Sequence, residues 1–134
     1  MPFAKKEKKL YNLDFLKEHS FDDEELMIEM IQTFIKKAPE ELDYLDKAVK
    51  SKNHKQITMI AHSLHNMLVT MQIKKALNII NPIEKDAWSE YKIEDLHLKV
   101  KSLIQIVTIA IGQLKEEIVN LSENLVYNYN NNQT

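Results

Sequence analysis

Cysteine is absent from the sequence, and the chain contains a single glycine and three prolines among its 134 residues. Without cysteine the protein can form neither disulfide bonds nor thiolate zinc sites, which suits a reducing compartment. β-Sandwiches, barrels and nucleotide-binding α/β folds need many glycines in their turns, so the composition argues against all three. We therefore predict an all-α protein, and a hydrophobic content of 44% is enough for the core of one domain.

The chain has no large excess of charge of either sign: 18 basic and 20 acidic residues give a net charge of −2. With no dense basic stripe and few aromatic residues, we expect no nucleic-acid binding. The most apolar run, residues 103–114, is about half of the ~20 residues that cross a bilayer, so we interpret it as a buried helix. The segment MPFAKKEKK has no apolar run typical of a signal peptide, and we expect a cytoplasmic protein without membrane contact.

Apolar residues recur at helical spacing along most of the chain and predict a series of helices. Pro39 suits the first turn of a helix, so we expect one helix to end near Ala38 and the next to begin at Pro39. Pro82 falls inside another predicted helix, where it should cause a kink or a break. The predicted segments are approximately 10–19, 22–38, 39–50, 53–71, 73–88 and 93 to beyond 121.

Long amphipathic helices with short connections favour an antiparallel up-and-down four-helix bundle, here with a short additional N-terminal helix. We assign residues 10–125 to this bundle. Residues 1–9 are predicted to be a flexible N-terminus, and residues 126–134 (VYNYNNNQT) form a low-complexity tail that we predict to be disordered. No internal repeat or second domain is evident in the sequence, and we expect a monomer.

Two histidines, His62 and His65, occur in the segment AHSLHNMLV of the predicted helix 53–71. On a helical wheel the apolar residues of this helix form one buried stripe. His62 lies about 165° from the middle of that stripe, so it should project away from the core. His65 lies about 105° from the middle, at the flank of the stripe, and should be partly shielded and able to make a lateral contact.

The outward face of this helix also carries Lys55, Met59, Asn66 and Val69, one or two turns from His62. Met59 and Val69 are apolar where solvent is expected. Two such residues bracketing an outward histidine indicate a surface that another protein covers, whereas single exposed apolar residues are ordinary. Both interpretations stay open on this feature alone.

These residues resemble the signature of the histidine-containing phosphotransfer (HPt) domain, the intermediate carrier of multi-step two-component phosphorelays. The family motif is Ala-His-x-Leu-Lys-Gly, and Ala61, His62 and Leu64 match it. Phe34, in MIQTFIKKAPEELDYLDKAV, is similar to the Phe of the family's first bundle helix, and ALNIINPIE is similar to its Leu-rich segment ending in Leu-Glu. The likeness extends over residues 10–120.

Glu84 follows His62 by 22 residues, the separation at which the family places a Glu or Gln against the phospho-accepting imidazole. The resemblance implies that Glu84 accepts a hydrogen bond from Nδ1–H of His62, which fixes the tautomer and leaves Nε2 free as the nucleophile. The same contact would stabilise the cationic ring formed during transfer. Without the resemblance, a solvated carboxylate explains Glu84 equally well.

Three positions depart from the family pattern. His65 stands where the family has Lys, Asn66 where it has Gly, and Gln72 where a second Gly is expected. A cation near a phosphoryl group at a wet surface contributes about 1 kcal/mol at a few ångströms, so a neutral His65 would hold phosphate less firmly. Asn66 adds a side chain one turn from His62, where the partner must approach.

The resemblance implies a phosphocarrier in which His62 takes a phosphoryl group from the aspartate of a response-regulator receiver domain and passes it to another receiver. A hybrid histidine kinase is a further candidate partner. The carrier would need no cofactor of its own, because the receiver brings the acidic pocket and Mg²⁺. The sequence contains no glycine-rich phosphate loop, so we expect no autonomous kinase activity.

Other functions remain open. A degenerate HPt-like module would bind receivers without accepting phosphate, and a pure interaction module would use the surface of Met59 and Val69 with His62 incidental. His65 is a candidate phosphoryl contact, although a structural role at the flank of the stripe is the interpretation that its position favours. Metal binding by His62 and His65 would need a third ligand, and the sequence shows none beside them, so we expect no metal site.

Overall fold

The structure, a computed structural model, describes residues 8–87 and 93–132, except for the side chains of residues 93 and 94. Within these ranges the chain forms helices and no strands, which confirms the all-α prediction. Four long helices follow one short N-terminal helix, as the bundle prediction requires. The helices are α1 (Asp14–His19), α2 (Glu24–Lys50), α3 (His54–Met71), α4 (Lys74–Asp86) and α5 (Ile93–Asn132). The predicted helix 73–88 corresponds to α4, and its predicted end at Trp88 lies outside the described residues.

The four long helices enclose one hydrophobic core. Each packs on the next along the chain, and α5 also packs against α2, which closes the bundle. Complete burial of a leucine or isoleucine side chain contributes about 1.5–3 kcal/mol, so these residues supply most of the driving force for the fold. Fully buried residues from all four helices include Ile31, Leu45, Ile57, Leu64, Leu68, Ile80, Ile83, Leu96 and Leu103.

Pro39 does not divide two helices as the sequence predicted. It lies inside α2, which continues from Glu24 to Lys50. The buried residues on the two sides of Pro39, Ala38 and Leu42, belong to one continuous apolar face, so dividing the helix would expose part of the core. Pro39 itself is exposed, and burial of the shared face outweighs the hydrogen bond that its missing N–H cannot make.

Pro82 is likewise accommodated within α4, which the structure shows as one helix without the predicted break. Ile80 and Ile83, on either side of the proline, are both completely buried. Packing of these residues against the bundle holds the helical path in spite of the missing N–H of Pro82. Glu84 consequently stands in the last turn of a continuous helix, two residues before its end at Asp86.

The two chain ends differ from the sequence prediction within their described parts. Gln113 on α5 donates from Nε2 to the carbonyl oxygen of Lys8 at 2.9 Å, and its Oε1 accepts from the N–H of Leu10 at 2.8 Å. The described end of the predicted flexible N-terminus is therefore fastened to α5. Tyr11 is buried beside it, and burial raises the pKa of the Tyr11 phenol to about 12.

The segment predicted as a disordered tail is helical in its described part, because α5 continues to Asn132. Extending an existing helix costs little, since each asparagine or tyrosine lowers helix stability by only about 0.7 kcal/mol or less relative to alanine. Leu121 and Leu125 are half-buried, and the side chains beyond Leu125 are exposed. In the described part of the chain, no helix has the length and apolar character needed to cross a membrane.

The connection between α3 and α4 consists of two residues, Gln72 and Ile73. Gln72 adopts a left-handed conformation (φ 50°, ψ 48°), which ends α3 and reverses the chain. The N–H of Ile73 donates to the carbonyl oxygen of Leu68 at 3.1 Å. The side-chain NH₂ of Gln72 donates to the carbonyl oxygen of Val69 at 2.6 Å. A turn this short makes α3 and α4 antiparallel neighbours and fixes which of their residues are level.

Candidate functional site

His62 lies on the outer surface of α3. Its neighbours Ala61 and Leu64 are completely buried, so the helix is anchored by the face opposite the histidine. The side chain of His62 is 66% exposed, which leaves the ring accessible to another protein. The helical wheel of this segment therefore gave the correct direction for the ring.

The structure brings His62 and Glu84 together across the junction of α3 and α4. Nδ1 of His62 lies 3.0 Å from Oε1 of Glu84, and the Glu84 side chain is 31% exposed. An ionised carboxylate can only accept, so the hydrogen bond places the proton on Nδ1 of a neutral imidazole. Nε2 then keeps its lone pair, and no hydrogen bond engages it within residues 8–87 and 93–132.

The tight turn accounts for this contact. His62 lies ten residues before Gln72, and Glu84 lies eleven residues after Ile73. Positions at nearly equal distances from the turn of an antiparallel helix pair stand at the same level. The backbone of the two helices and their connection therefore places His62 and Glu84 at the same level, independently of the hydrogen bond between their side chains.

A second histidine is paired across the same two helices, one helical turn closer to the α3–α4 connection. Nδ1 of His65 is 2.9 Å from Oδ1 of Asn81, and the His65 side chain is half-buried against α4. His65 thus makes the lateral contact that its wheel position predicted. The sequence analysis missed Asn81, although its distance from the turn, eight residues, nearly equals the seven of His65 and could have identified it.

The four residues predicted to dock a partner lie on α3 within two turns of His62. Lys55 and Asn66 are exposed, and Val69 is half-buried. Met59 is 63% exposed, so the partly apolar face predicted around His62 is present. The surface beside His62 is therefore partly apolar.

Two shallow grooves along the junction of α2 and α3 extend this apolar surface. One, of about 510 Å³, includes Met30 and Met67 in its walls, and the other, of about 540 Å³, includes Tyr44 and Met59. Tyr44 is 56% exposed. The sequence analysis did not select Tyr44 or Met30, because their exposure depends on how α2 packs against α3.

Metal-ligand side chains do not cluster in the described part of the chain. No group of three or more His, Cys, Asp or Glu residues there could hold a metal ion. The pair His62 and His65 gains no third ligand, since their partners across the junction are one carboxylate and one amide, each bonded to a separate ring.

Comparison with known proteins supports the fold. No family model matches the chain, and no curated protein matches it. The structure is similar to the crystal structure of the HPt domain from the Hpt sensor hybrid histidine kinase of Shewanella, with a TM-score of 0.71 and 18% sequence identity. The similarity covers 85% of this chain and 97% of that domain. The chain therefore has an HPt-like fold.

Proposed function

We propose that this protein is a histidine phosphocarrier of a two-component phosphorelay, in which His62 is the phosphoryl acceptor. The observation that carries the proposal is the exposed imidazole of His62 with Nδ1 held 3.0 Å from the Glu84 carboxylate. Its donor would be the phosphorylated aspartate of a response-regulator receiver domain, and its acceptor a second receiver. The HPt-like fold supports the same class of function.

The proposed reaction is an in-line displacement at phosphorus. The Nε2 lone pair of His62 attacks the aspartyl phosphate, the Nε2–P bond forms as the O–P bond breaks, and the aspartate leaves as a carboxylate. The Nδ1 proton stays between the ring and Glu84 throughout. Because the phosphorylated ring becomes cationic, the negative charge of Glu84 stabilises the product as well as the attacking tautomer.

The carrier itself contributes positioning and one nucleophile. The Mg²⁺ that neutralises charge on the transferring group would come with the receiver, whose acidic pocket binds it. In this proposal the chain needs no cofactor of its own and has no autonomous kinase activity. The partners are receiver domains, with a hybrid histidine kinase as a further candidate, and the expected setting is the cytoplasm.

Receiver docking would use the apolar surface beside His62. Met59 is exposed and lines a groove together with Tyr44, and Lys47 and Gln56 are polar residues in the same lining. Lys55 and Asn66 are exposed polar residues of α3 two turns before and one turn after His62. Large exposed apolar side chains rimmed by polar residues are typical of protein interfaces. Val69, half-buried two turns from His62, would contribute at the other side of the histidine.

A second candidate function is receiver binding without phosphotransfer. The observation that favours it is the side chain of Asn66, which is exposed one turn from His62 where close approach is needed. In that case the apolar surface would bind a receiver while His62 remained unmodified.

Transfer from a phosphorylated receiver domain separates the two functions. We expect acid-labile label to move from the receiver to the wild-type chain and not to His62→Gln. His19→Gln is the matched control, because His19 is an exposed histidine outside the site, bonded to the Phe15 carbonyl. Binding of the receiver without transfer to the wild type, or equal labelling of His62→Gln, would overturn the carrier proposal.

A further inference from the structure

The face of α5 that carries Gly112 points away from the bundle. We infer that this face binds the same face of a second copy of the chain, so that two molecules pair through antiparallel α5 helices centred on Gly112. Such pairing is independent of the proposed function, because α5 packs mainly against α2 and α4, whereas His62 lies on α3 at the opposite corner of the bundle.

Exposed apolar side chains line this face. On a helical wheel at about 100° per residue, the buried residues of α5 centre about 160° from Gly112. Among the described side chains of α5, the exposed large apolar residues all lie within about 60° of Gly112, and they are between 45% and 68% exposed. Single exposed apolar residues are ordinary, but a row of them indicates a surface that another molecule covers. The row consists of Leu98, Ile109, Val119, Val126, Tyr127 and Tyr129, and with Gly112 it defines the outer face of α5.

Gly112, the single glycine of the sequence, lies in the middle of this row. Glycine weakens a helix relative to alanine, and nothing in the described part of the chain lies within 4 Å of the position that a Cβ would take here. The packing of its own chain therefore does not require glycine. A groove of about 710 Å³ opens at this point, with Tyr11, Ile109 and Glu116 among its lining residues. A glycine in a groove allows the backbone of another helix to come close.

Antiparallel pairing about Gly112 brings complementary residues together. In a closed pair with a two-fold axis, positions equally far from the axis on its two sides meet. Leu98 and Val126 each lie 14 residues from Gly112, so each would pack on the other across the interface. Lys101 and Glu123 each lie 11 residues from Gly112, and both are exposed, so opposite charges would meet at each end.

Parallel pairing of the same faces is less favourable. It would place Glu116 and Glu123 of one chain beside the identical residues of the other, and like charges repel. Exposed ion pairs contribute little affinity, but their arrangement fixes the direction in which two helices pair. Charge therefore selects the antiparallel arrangement.

The size of the outer face indicates a reversible dimer. Leu98 and Val126 are 28 residues apart, which corresponds to about 42 Å of helix. One pair of helices of this length is at the small end of stable interfaces, so we expect a dissociation constant of roughly 10–100 μM. The monomer expected from the sequence is then the species at low concentration, and His62 stays accessible in both species.

Sedimentation equilibrium of the full chain between about 1 and about 500 μM tests the pairing. We expect a monomer–dimer equilibrium in the wild type. Gly112→Gln should weaken it about tenfold or more, because the new side chain holds the two backbones apart. The same substitution should leave the melting temperature of the monomer unchanged or higher, since glutamine favours a helix and has open space at this position.

Charge reversal tests the antiparallel register. Lys101→Glu and Glu123→Lys should each weaken the dimer about tenfold, because each places like charges together twice in the symmetric pair. The double variant Lys101→Glu/Glu123→Lys should restore the wild-type affinity. Lys36→Glu, an exposed charge reversal on α2, is the matched control and should leave the affinity unchanged.

Several results would overturn the pairing. A wild-type chain that remains monomeric at about 500 μM contradicts it directly. A dimer as tight in Gly112→Gln as in the wild type would place the interface elsewhere, and single charge reversals without effect would exclude the antiparallel register. Labelling of His62 by a receiver is measured separately, and either result there leaves the α5 pairing unaffected.

Discussion

His62 and His65 on α3 show how an acceptor on a neighbouring helix affects what a histidine can do. His62 faces a carboxylate and His65 an amide, at nearly equal distances of 3.0 and 2.9 Å. A carboxylate selects one tautomer and stabilises positive charge on the ring, whereas a neutral amide does neither strongly. In the proposed carrier, the difference in partner, more than the difference in exposure, therefore favours His62 over His65 as the nucleophile.

Substitutions of Glu84 separate its two contributions to the reactivity of His62. We expect Glu84→Ala to slow loading by phosphoramidate about tenfold, because the ring loses both its fixed tautomer and the nearby negative charge. Glu84→Gln keeps an oxygen acceptor and should slow loading only about threefold. The measurement is the initial rate of phosphohistidine formation at saturating donor.

The neighbouring exposed residue Lys85 provides the control, and Lys85→Ala should load at close to the wild-type rate. Equal rates for the wild type and Glu84→Ala would show that the carboxylate has no part in the chemistry. A Glu84→Gln variant as slow as Glu84→Ala would instead assign the whole effect to charge.

At the level of single residues, the sequence supported part of the site. The wheel of α3 predicts the outward direction of His62, and the separation of 22 residues directs attention to Glu84. Asn81 was missed because an asparagine on an exposed helix face is ordinary by itself. Its relation to His65 emerges only when the two-residue turn is known to make α3 and α4 antiparallel neighbours.

Among the helices, α2 shows most clearly how tertiary packing overrides a local rule. Proline usually begins a helix or ends one, yet α2 continues through Pro39 with Ala38 and Leu42 buried around it. The sequence contains both the proline signal and the continuous apolar face, but their relative free energies depend on α3 and α5. Those contacts involve residues distant in the chain, which local periodicity does not reveal.

Replacement of Pro39 should therefore stabilise the protein. We expect Pro39→Ala to raise the free energy of unfolding by about 2 kcal/mol, because the alanine N–H restores the helical hydrogen bond to Ile35 and removes the ring clash. Part of the ~3 kcal/mol helix penalty of proline is offset by its lower entropy in the unfolded chain. Urea denaturation measures the change.

Glu40→Ala, at the next exposed position of the same helix, is the control and should shift the free energy of unfolding by less than about 0.5 kcal/mol. If Pro39→Ala unfolds at the same urea concentration as the wild type, α2 must already accommodate the proline without strain. A destabilised variant would indicate that the proline ring makes favourable contacts of its own.

On the scale of the whole molecule, composition and periodicity predicted the architecture correctly. Scarce glycine, short connections and amphipathic segments predict an up-and-down bundle, and the structure has that fold. The grooves between α2 and α3 could not be predicted, because they depend on how two helix surfaces meet. The monomeric state and the choice of receiver stay predictions, since both depend on surfaces of other molecules.

The length of α5 has a consequence for how the molecule moves in water. Its 40 residues span about 60 Å, whereas the 27 residues of α2 span about 40 Å. Beyond Leu125 its side chains are exposed, so this part of α5 adds hydrodynamic drag without adding core. Rotational diffusion should consequently be anisotropic, slow for tumbling end over end and fast for spinning about the α5 axis.

Deletion of residues 126–134 tests this. The truncated chain should sediment with a lower frictional ratio and keep its melting temperature within about 2 °C, since the deleted described side chains are exposed. An unchanged frictional ratio would mean that the end of α5 folds back in solution. If the truncation lowers the frictional ratio, the full chain is an elongated particle whose long axis lies along α5 and reorients slowly. A receiver that approaches His62 then collides with the side of this particle more often than with its ends.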